Sequence, residues 1–307
     1  MNTKRVLITG GTGLLALNWA CSIRDQWDVI LGLHHHDVVL ARTRSKRLNL
    51  ESPEDLSKQI ANLAPDLIVH TVGMTNVDDC EKNYDVALHT NADIAVNVAI
   101  VAKALNISLI HISTDQLFQG DRSFYAETDT VKPINTYGIT KALAETKILE
   151  ANPKALIVRT NFFCWGHSRR RSFSDWLIYN LRAGRYLNLF EDVYFTPILA
   201  DTLALASHDL IDKGISGVVN VVGDERVSKY QFGQLLCKVF DLSSSFIQRD
   251  IMKNSHLLAS RPLDMSLDNA ELQNILGRNM GGVPEFLDKL HDQECRGRRT
   301  ELFSAVN

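Results

Sequence analysis

The chain has 307 residues, of which 45% are hydrophobic and 22% are charged, and its formal net charge is −3. This length allows a large buried core in one extended domain or two smaller ones. The near-neutral charge creates no global field for nucleic acid or an anionic membrane, so any partner must be recognised at a local site.

Cysteine and histidine usage gives no indication of a metal centre. The five cysteines are scattered without a CxxC pair, which predicts reduced thiols. His34, His35 and His36 cannot all face one ion, because side chains alternate along an extended segment. No apolar run reaches the roughly 18 residues of a membrane span, and no signal-peptide pattern precedes the first predicted strand. We therefore expect a cytoplasmic protein without a metal, nucleic acid or membrane partner.

The first 160 residues alternate short apolar runs with helical patterns. Strands are predicted at 5–10, 28–33, 66–72, 108–114 and 155–160. Helices are predicted between them at 14–26, 52–64, 91–106 and 136–152. Continuous β-branched strands separated by helices are typical of a parallel sheet covered on both faces. We expect a Rossmann-type, doubly wound α/β fold.

The second half of the chain has a less regular rhythm. Helices are predicted at 172–184 and 228–241, and a strand at 217–223. Because no linker or composition break separates the halves, we predict two parts that pack together: a dinucleotide-binding domain over 1–160 and a mostly substrate-binding portion over 161–307. Strands or helices of the second part can also join the sheet of the first part. A ligand cleft is expected at the carboxyl ends of the strands.

The segment "ITGGTGLLA" follows the first predicted strand and opens the first helix. Its G-x-x-G-x-x-A spacing provides a turn without a Cβ, a close backbone approach to a pyrophosphate, and a small residue where helix and strand pack. Backbone N–H groups at a helix N-terminus bind phosphate. The predicted cofactor contacts in this turn are Gly10, Thr12, Gly13, Leu14 and Leu15.

The preferred dinucleotide is indicated by the end of the second strand. Sites that prefer NAD place an acid there for the ribose 2′-hydroxyl, whereas this chain has His34. The following "ARTRSKR" supplies four cations that either face a 2′-phosphate or form a solvated basic loop: Arg42, Arg44, Lys46 and Arg47. We expect NADP(H), with NAD(H) as the open alternative.

A catalytic pair is predicted on the helix in "NTYGITKALAE". Tyr137 and Lys141 are four residues apart, so they share one helical face. A phenol near pKa 10 is a poor acid–base catalyst at neutral pH, but an adjacent ammonium favours its ionised form. Thr114, with Ser113 beside it at the end of the fourth strand, is placed to polarise a carbonyl oxygen.

These motifs are similar to those of a known family, the extended short-chain dehydrogenases/reductases, and within it the dTDP-4-dehydrorhamnose reductase-like group. The resemblance spans nearly the whole chain in family order. It is carried by "TGGTGLLA", "HISTDQLFQG", "KPINTYGITKALAE", "VRTNFF", "FTPILADTLA" and "RPLDMSLDNAEL". The glycine turn and Y-x-x-x-K serve the whole superfamily, whereas "STDxxFxG" and "RPxxxxLD" are specific to this group.

The resemblance implies a reductase that delivers hydride from a nicotinamide cofactor to a nucleotide-linked 4-keto-6-deoxysugar. It implies that Tyr137 donates the proton, that Lys141 holds the nicotinamide ribose and tunes Tyr137, and that Thr114 hydrogen-bonds the reacting oxygen. Further implied contacts are Asp115, Asn161 and Phe162 on the sugar side, and Val72, Gly73 and Met74 along the cofactor.

Departures from the family pattern concern the sugar rather than the cofactor. Gln116 replaces a usual tyrosine, and it also argues against a dehydratase, because glutamine cannot transfer a proton at neutral pH. The first helix lacks the glutamate of the family's magnesium site, so no metal is expected. The basic tract 167–171 either reaches a substrate pyrophosphate or, as the preferred interpretation, is a solvated loop.

Two other functions stay open on the sequence. An epimerase needs only the same Tyr, Lys and hydroxyl groups. A non-catalytic regulatory subunit is allowed because the beta subunit of methionine adenosyltransferase is similar to this family. The expected partner is a nucleotide sugar, and a homodimer is an open alternative to a monomer.

Overall fold

The computed structural model describes residues 3–306. The strands, in chain order, are β1 Arg5–Thr9, β2 Asp28–Leu33, β3 Thr43–Arg47, β4 Leu67–His70, β5 Ser108–Ile112, β6 Leu156–Arg159, β7 Phe162–Phe163, β8 Leu187–Phe190, β9 Tyr194–Phe195, β10 Ile198–Leu199, β11 Gly217–Asn220, β12 Val227–Ser228 and β13 Ile247–Asp250.

The α-helices, in chain order, are α1 Leu14–Ile23, α2 Pro53–Leu63, α3 Val77–Lys82, α4 Tyr84–Leu88, α5 Ile94–Ala104, α6 Thr136–Ala151, α7 Phe173–Arg182, α8 Ala200–Asp212, α9 Lys229–Val239, α10 Ala270–Leu276, α11 Val283–Cys295 and α12 Arg298–Ser304. A π-helical turn, His89–Asp93, precedes α5, and two 3₁₀ turns are Ser244–Phe246 and Met252–Asn254.

Seven strands form one central sheet in the order β11-β6-β5-β4-β1-β2-β3. All neighbouring pairs in it are parallel, which confirms the predicted doubly wound α/β fold. The chain first runs outward from β1 through β2 to β3 and then returns to β4 on the other side of β1. This reversal of strand order opens a crevice at the carboxyl ends, where ligands bind in such sheets.

Side-chain alternation along β1 explains why both sheet faces are covered. Val6 and Ile8 belong to a buried cluster with residues of α1, α8, α9 and α11, whereas Leu7 belongs to a second cluster with residues of α2, α5 and α6. Successive strand residues point to opposite faces, so an uninterrupted apolar strand requires a helical layer on each side. The sheet therefore lies in the middle of three layers.

Two elements extend the sheet beyond the five predicted early strands. β11 comes from the second half of the chain and pairs with β6, within the segment 217–223 predicted as a strand. β3 lies in "ARTRSKR", which the sequence analysis treated as a loop or a phosphate contact; instead it pairs with β2 at the sheet edge. Within residues 3–306, no helix is long and apolar enough to cross a membrane.

Candidate active site

A cleft of about 640 Å³ lies at the carboxyl ends of the central strands. The turn between β1 and α1, the end of β2, the segment after β4 and the end of β5 all line it. Tyr137 and Lys141 enter it from α6. We call this space the strand-end cleft.

The glycine turn leaves its backbone open to the cleft. Gly10 has φ +72°, and a Cβ there would lie 3.0 Å from Thr71 Oγ1. Gly13 is the N-cap of α1 and offers no side-chain cap, and the first turn of this helix contains no acid. Together with Thr12, Leu14 and Leu15, these residues line the cleft. A helix N-terminus without its own cap or counter-charge fits the pyrophosphate of a dinucleotide.

Gly11 has a role that the motif analysis missed. A Cβ on this residue would lie 2.8 Å from Leu31 Cβ, so only glycine lets the turn pack this closely on β2. The sequence does show a second glycine directly after Gly10. The motif analysis missed it because the spacing rule considers only the first and fourth positions of "GGTG".

The end of β2 faces the same cleft through His34 and His36. The predicted 2′-phosphate contacts are engaged elsewhere: Arg42 pairs with Asp25, and Arg44 pairs with Asp28. None of Arg42, Arg44, Lys46 and Arg47 is among the residues that line the cleft within 3–306.

Arg47 stabilises the histidine segment that follows β2. It pairs with Asp37 at 2.7 Å and donates to the backbone oxygens of His34 and His35 at 2.7 and 3.1 Å. This arginine therefore holds the histidine segment in place rather than a ligand. Asn49 and Leu50, which follow β3, form the adjoining cleft wall.

Tyr137 lies at the junction of α6 and the end of β5. The side chain is nearly buried, at 8% exposure, and packs with Val77, Cys80 and Ala259. Burial raises the pKa of the phenol to about 12, which corrects the expectation that the adjacent ammonium of Lys141 favours the ionised form; the hydrogen bond with the Thr114 hydroxyl acts against this rise. A protonated phenol beside a hydroxyl is suited to donate a proton to an oxygen in the cleft.

Lys141 is fixed by two acceptors from β5. Its Nζ donates to the Ile112 backbone oxygen at 2.7 Å and lies 3.0 Å from His111 Nε2. Burial lowers the pKa of Lys141 to about 8, and the negative charge of Glu145 partly offsets that effect. Because desolvation also lowers the pKa of His111, this imidazole is neutral and accepts the ammonium hydrogen bond.

Glu145 connects the catalytic helix to the sheet. It lies one turn beyond Lys141 on α6 and pairs with Arg159 of β6 at 2.7 Å. It also accepts from Ser113 Oγ at 2.5 Å. Both charged side chains are buried, so this ion pair fixes α6 against the ends of β5 and β6. The i, i+4, i+8 spacing from Tyr137 was the signal that could have identified Glu145.

The segments that follow β5 and β6 contribute Asp115, Gln116, Asn161 and Phe162 to the cleft. Asn161 Nδ2 donates to the Asp115 carboxylate, and burial raises the pKa of Asp115 to about 6. Lys229 lies behind this carboxylate, with Nζ 3.3 Å from the centre of the Phe195 ring. The position of Phe162 follows from β7, which pairs with β10.

The segment after β4 contributes Val72, Gly73 and Thr75 to the cleft wall. Met74 instead packs against the Tyr137 cluster, and Asn91 accepts from its backbone N–H at 2.7 Å. Met74 is therefore not among the described residues that line the cleft, whereas its neighbour Thr75 is.

Thr160, at the end of β6, was also missed by the sequence analysis. It lines the cleft, and its Oγ1 is buried without a hydrogen-bond partner among the described residues. Within residues 3–306, no group of three or more His, Cys, Asp or Glu side chains is placed to hold a metal ion.

The basic tract 167–171 lies partly in the cleft. His167, Arg169 and Arg170 line it, whereas the Arg171 guanidinium stacks on the Tyr179 ring at 3.7 Å. The preferred interpretation of this tract was a solvated loop. The three arginines are exposed, as that interpretation predicts, but Arg169 and Arg170 also line the cleft.

The chain is similar to several known proteins over most of its length. The chain is 30% identical to a probable low-salt glycan biosynthesis reductase, Agl14, of Haloferax volcanii, over 88% of this chain and 91% of that protein. It is 28% identical to methionine adenosyltransferase 2 subunit beta of Bos taurus, over 89% and 82%. A crystal structure of a hypothetical dTDP-4-dehydrorhamnose reductase from Sulfolobus tokodaii matches with a TM-score of 0.79 and 29% identity, covering 90% of this chain and 96% of that one.

The parallel sheet, the open glycine turn and the Tyr-Lys helix define an NAD(P)-dependent oxidoreductase of the short-chain dehydrogenase/reductase type. The family model described as RmlD substrate binding domain matches residues 4–292. The chain belongs to this family, which confirms the resemblance to dTDP-4-dehydrorhamnose reductases drawn from its motifs.

Proposed function

We propose that the protein is an NADPH-dependent reductase of a nucleotide-activated 4-keto-6-deoxysugar. The observation that carries the proposal is the meeting of Tyr137, Lys141 and Thr114 with the open N-terminus of α1 in one cleft. A dinucleotide turn alone fits many reactions, and a Tyr-Lys pair alone fits any helix. Their shared cleft is what a carbonyl reductase needs.

When bound, the nicotinamide cofactor supplies the hydride. Gly10, Gly13 and the first turn of α1 bind its pyrophosphate, and Thr160 offers a free hydroxyl further along the cleft. Tyr137 donates the proton to the carbonyl oxygen, which also accepts a hydrogen bond from Thr114. Lys141, one helical turn beyond Tyr137 on α6, supplies the positive charge that stabilises the phenolate after proton transfer.

NADPH is proposed over NADH because of the β2 end. His34 and His36 line the cleft where an acid would bind the ribose 2′-hydroxyl of NAD. Imidazoles do not repel a 2′-phosphate as a carboxylate does. The comparison of Kd for NADPH and NADH, measured by nicotinamide fluorescence, tests this preference; equal values contradict it.

The activity itself is tested with purified protein, NADPH and dTDP-4-keto-6-deoxyglucose, followed by the loss of nicotinamide absorbance. A panel of other nucleotide-linked 4-keto sugars extends the assay. Turnover of at least one, abolished in Tyr137→Phe, supports the proposal. Absence of absorbance loss with the whole panel refutes it. An epimerase gives a changed sugar with no net NADPH consumption, which product chromatography detects.

A regulatory subunit is the second candidate, because the chain is similar over most of its length to methionine adenosyltransferase 2 subunit beta. The same purified protein tests it. Stable association with a methionine adenosyltransferase catalytic subunit, together with absent keto-sugar turnover, favours regulation. Turnover without such association favours the reductase.

A further inference from the structure

The segment 167–171, between β7 and α7, is called the arginine loop below. It is a tight turn in which His167 N–H donates to the Arg170 oxygen at 2.8 Å and Arg170 N–H donates to the His167 oxygen at 3.1 Å. The turn directs Arg169 and Arg170 into the strand-end cleft. Arg171 points away and stacks on Tyr179.

The chain at the arginine loop is held by contacts with two other segments. Just before it, the Trp165 backbone oxygen accepts from Asn18 Nδ2 of that helix at 2.9 Å. Within it, Ser168 donates from its backbone N–H to the Phe303 oxygen at 3.2 Å and from its Oγ to the Val306 oxygen at 3.0 Å. The loop is therefore held by both α1 and the segment 303–306.

The segment 303–306 is in turn attached beside the end of β2. Val39 N–H donates to the Ala305 oxygen at 2.9 Å, and Val38 pairs with Val306 in an antiparallel bridge. Val306 also lines the strand-end cleft. These contacts fix the arginine loop on the side of the cleft where the segment after β2 lies, which is the side where the dinucleotide is expected.

Arg170 spans the cleft from this anchored position. Its Nη2 donates to Thr75 Oγ1 at 2.6 Å, on the segment that follows β4. Its positive charge also lowers the pKa of Tyr137, against the larger effect of burial. One side chain thus connects the α1 side of the cleft with the β4 side.

The charges of the arginine loop are not neutralised by the protein. Within residues 3–306, neither Arg169 nor Arg170 forms an ion pair with a carboxylate. Other cations near the cleft are engaged: Lys141 with backbone and His111, and Arg159 with Glu145. Two guanidinium groups without a carboxylate partner line the same cleft as the uncapped N-terminus of α1, and such a set suits a doubly charged anion.

We propose that Arg169 and Arg170 form a clamp that binds a diphosphate against the N-terminus of α1, and that this diphosphate is the pyrophosphate of the dinucleotide. The inference rests on the proposed function for its choice of ligand. The sugar nucleotide carries the same chemical group, but the anchoring of Ser168 to the segment 303–306 beside β2 assigns the clamp to the dinucleotide.

The test compares Arg169→Ala/Arg170→Ala with Arg171→Ala, a matched control that removes one charge of the same loop outside the cleft. The probes are NADPH and NADH, titrated by nicotinamide fluorescence at low and high salt. We expect the double variant to raise Kd for both by about tenfold or more, since hydrogen bonds to charged groups are worth this factor or more each. Arg171→Ala stays within about twofold, and added salt weakens the wild type more than the double variant.

Four other outcomes overturn the clamp, each in a distinguishable way. A weaker affinity for NADPH alone shows that the arginines bind the 2′-phosphate. Unchanged dinucleotide affinity with a raised KM for the sugar nucleotide assigns them to the substrate, and no change in either shows a solvated loop. Lack of NADPH and NADH binding by the wild type also overturns it. Binding without turnover of any keto sugar leaves the clamp standing and refutes only the proposed reductase. Thermal denaturation of the three proteins checks that they are equally folded.

Discussion

Replacing Glu145 by alanine is expected to destabilise the fold and to change the pH dependence of catalysis. The carboxylate accepts from Arg159 at 2.7, 3.1 and 3.2 Å and from Ser113 at 2.5 Å. The two charged side chains are only 6% and 4% exposed. Without the carboxylate, the buried guanidinium keeps the Glu127 backbone oxygen at 3.3 Å and the face of Phe118 at 5.5 Å.

Removing one partner of a buried ion pair leaves an uncompensated charge and costs about 3–5 kcal/mol. For a chain of this size, we expect the Tm to fall by roughly 10 °C. Chemical denaturation gives the free energy of unfolding, and a thermal scan gives the Tm. The double variant Glu145→Leu/Arg159→Met should recover most of the loss, because apolar side chains of similar volume replace both charges.

The matched control is the ion pair of Glu285 and Lys289 on α11, which is also 2.7 Å long but about half exposed. Glu285→Ala should change the free energy of unfolding by less than about 1 kcal/mol. If Glu145→Ala is no more destabilising than Glu285→Ala, the assignment of a buried structural ion pair is refuted. The same follows if the double variant is as unstable as the single one.

Replacing Glu145 should also change a catalytic measurement, the pH profile of kcat/KM. A purely structural role would leave that profile unchanged. Its negative charge raises the pKa of Lys141, against the larger lowering by burial. In Glu145→Gln the pKa of Lys141 should therefore fall further, so the ammonium is lost at a lower pH. The alkaline decline of kcat/KM should shift to lower pH than in the wild type. An unchanged profile contradicts electrostatic coupling between Glu145 and Lys141.

Three other predictions concern the strand-end cleft, two for substitutions and one for the pH profile of the wild type. Tyr137→Phe should lower kcat by at least about 100-fold while NADPH Kd stays unchanged in fluorescence titration; nearly full turnover excludes the phenol as proton donor. Gly10→Val should weaken NADPH binding, because φ is +72° and a Cβ would lie 3.0 Å from Thr71 Oγ1; unchanged affinity contradicts the assigned pyrophosphate site. In the wild type, kcat/KM for reduction should fall as pH rises through about 8, where Lys141 loses its proton; a flat profile from pH 7 to 9 excludes a role for its charge.

The central strands could be predicted because each is a continuous apolar run buried on both faces. β3 could not, because "TRSKR" contains no apolar residue. It is an edge strand whose side chains are mostly exposed, and its pairing with β2 depends on backbone hydrogen bonds. Its charge is offset by Asp28 and Asp37, which precede it in the chain. A pattern based on hydrophobic periodicity does not detect such a strand.

The candidate site was likewise predictable only where it depends on residues close together in the sequence. Helical spacing placed Tyr137 and Lys141 on one face, because that relation spans only four residues. The acceptors of Lys141 come from β5, about thirty residues away in the chain. The position of the arginine loop depends on contacts of Ser168 with the segment 303–306. Such contacts follow from the folded topology and leave no periodic signal in the sequence.

Lys141 bears on the choice between an enzyme and a regulatory subunit. Burial lowers its pKa to about 8, so the fold holds an ammonium where its charged form is disfavoured. The ammonium is held there by two acceptors, the Ile112 backbone oxygen and His111 Nε2. Proteins keep groups whose charged form is disfavoured where function needs them, and replacing them trades activity for stability. We propose the enzyme because a carbonyl reductase has a use for such a cation.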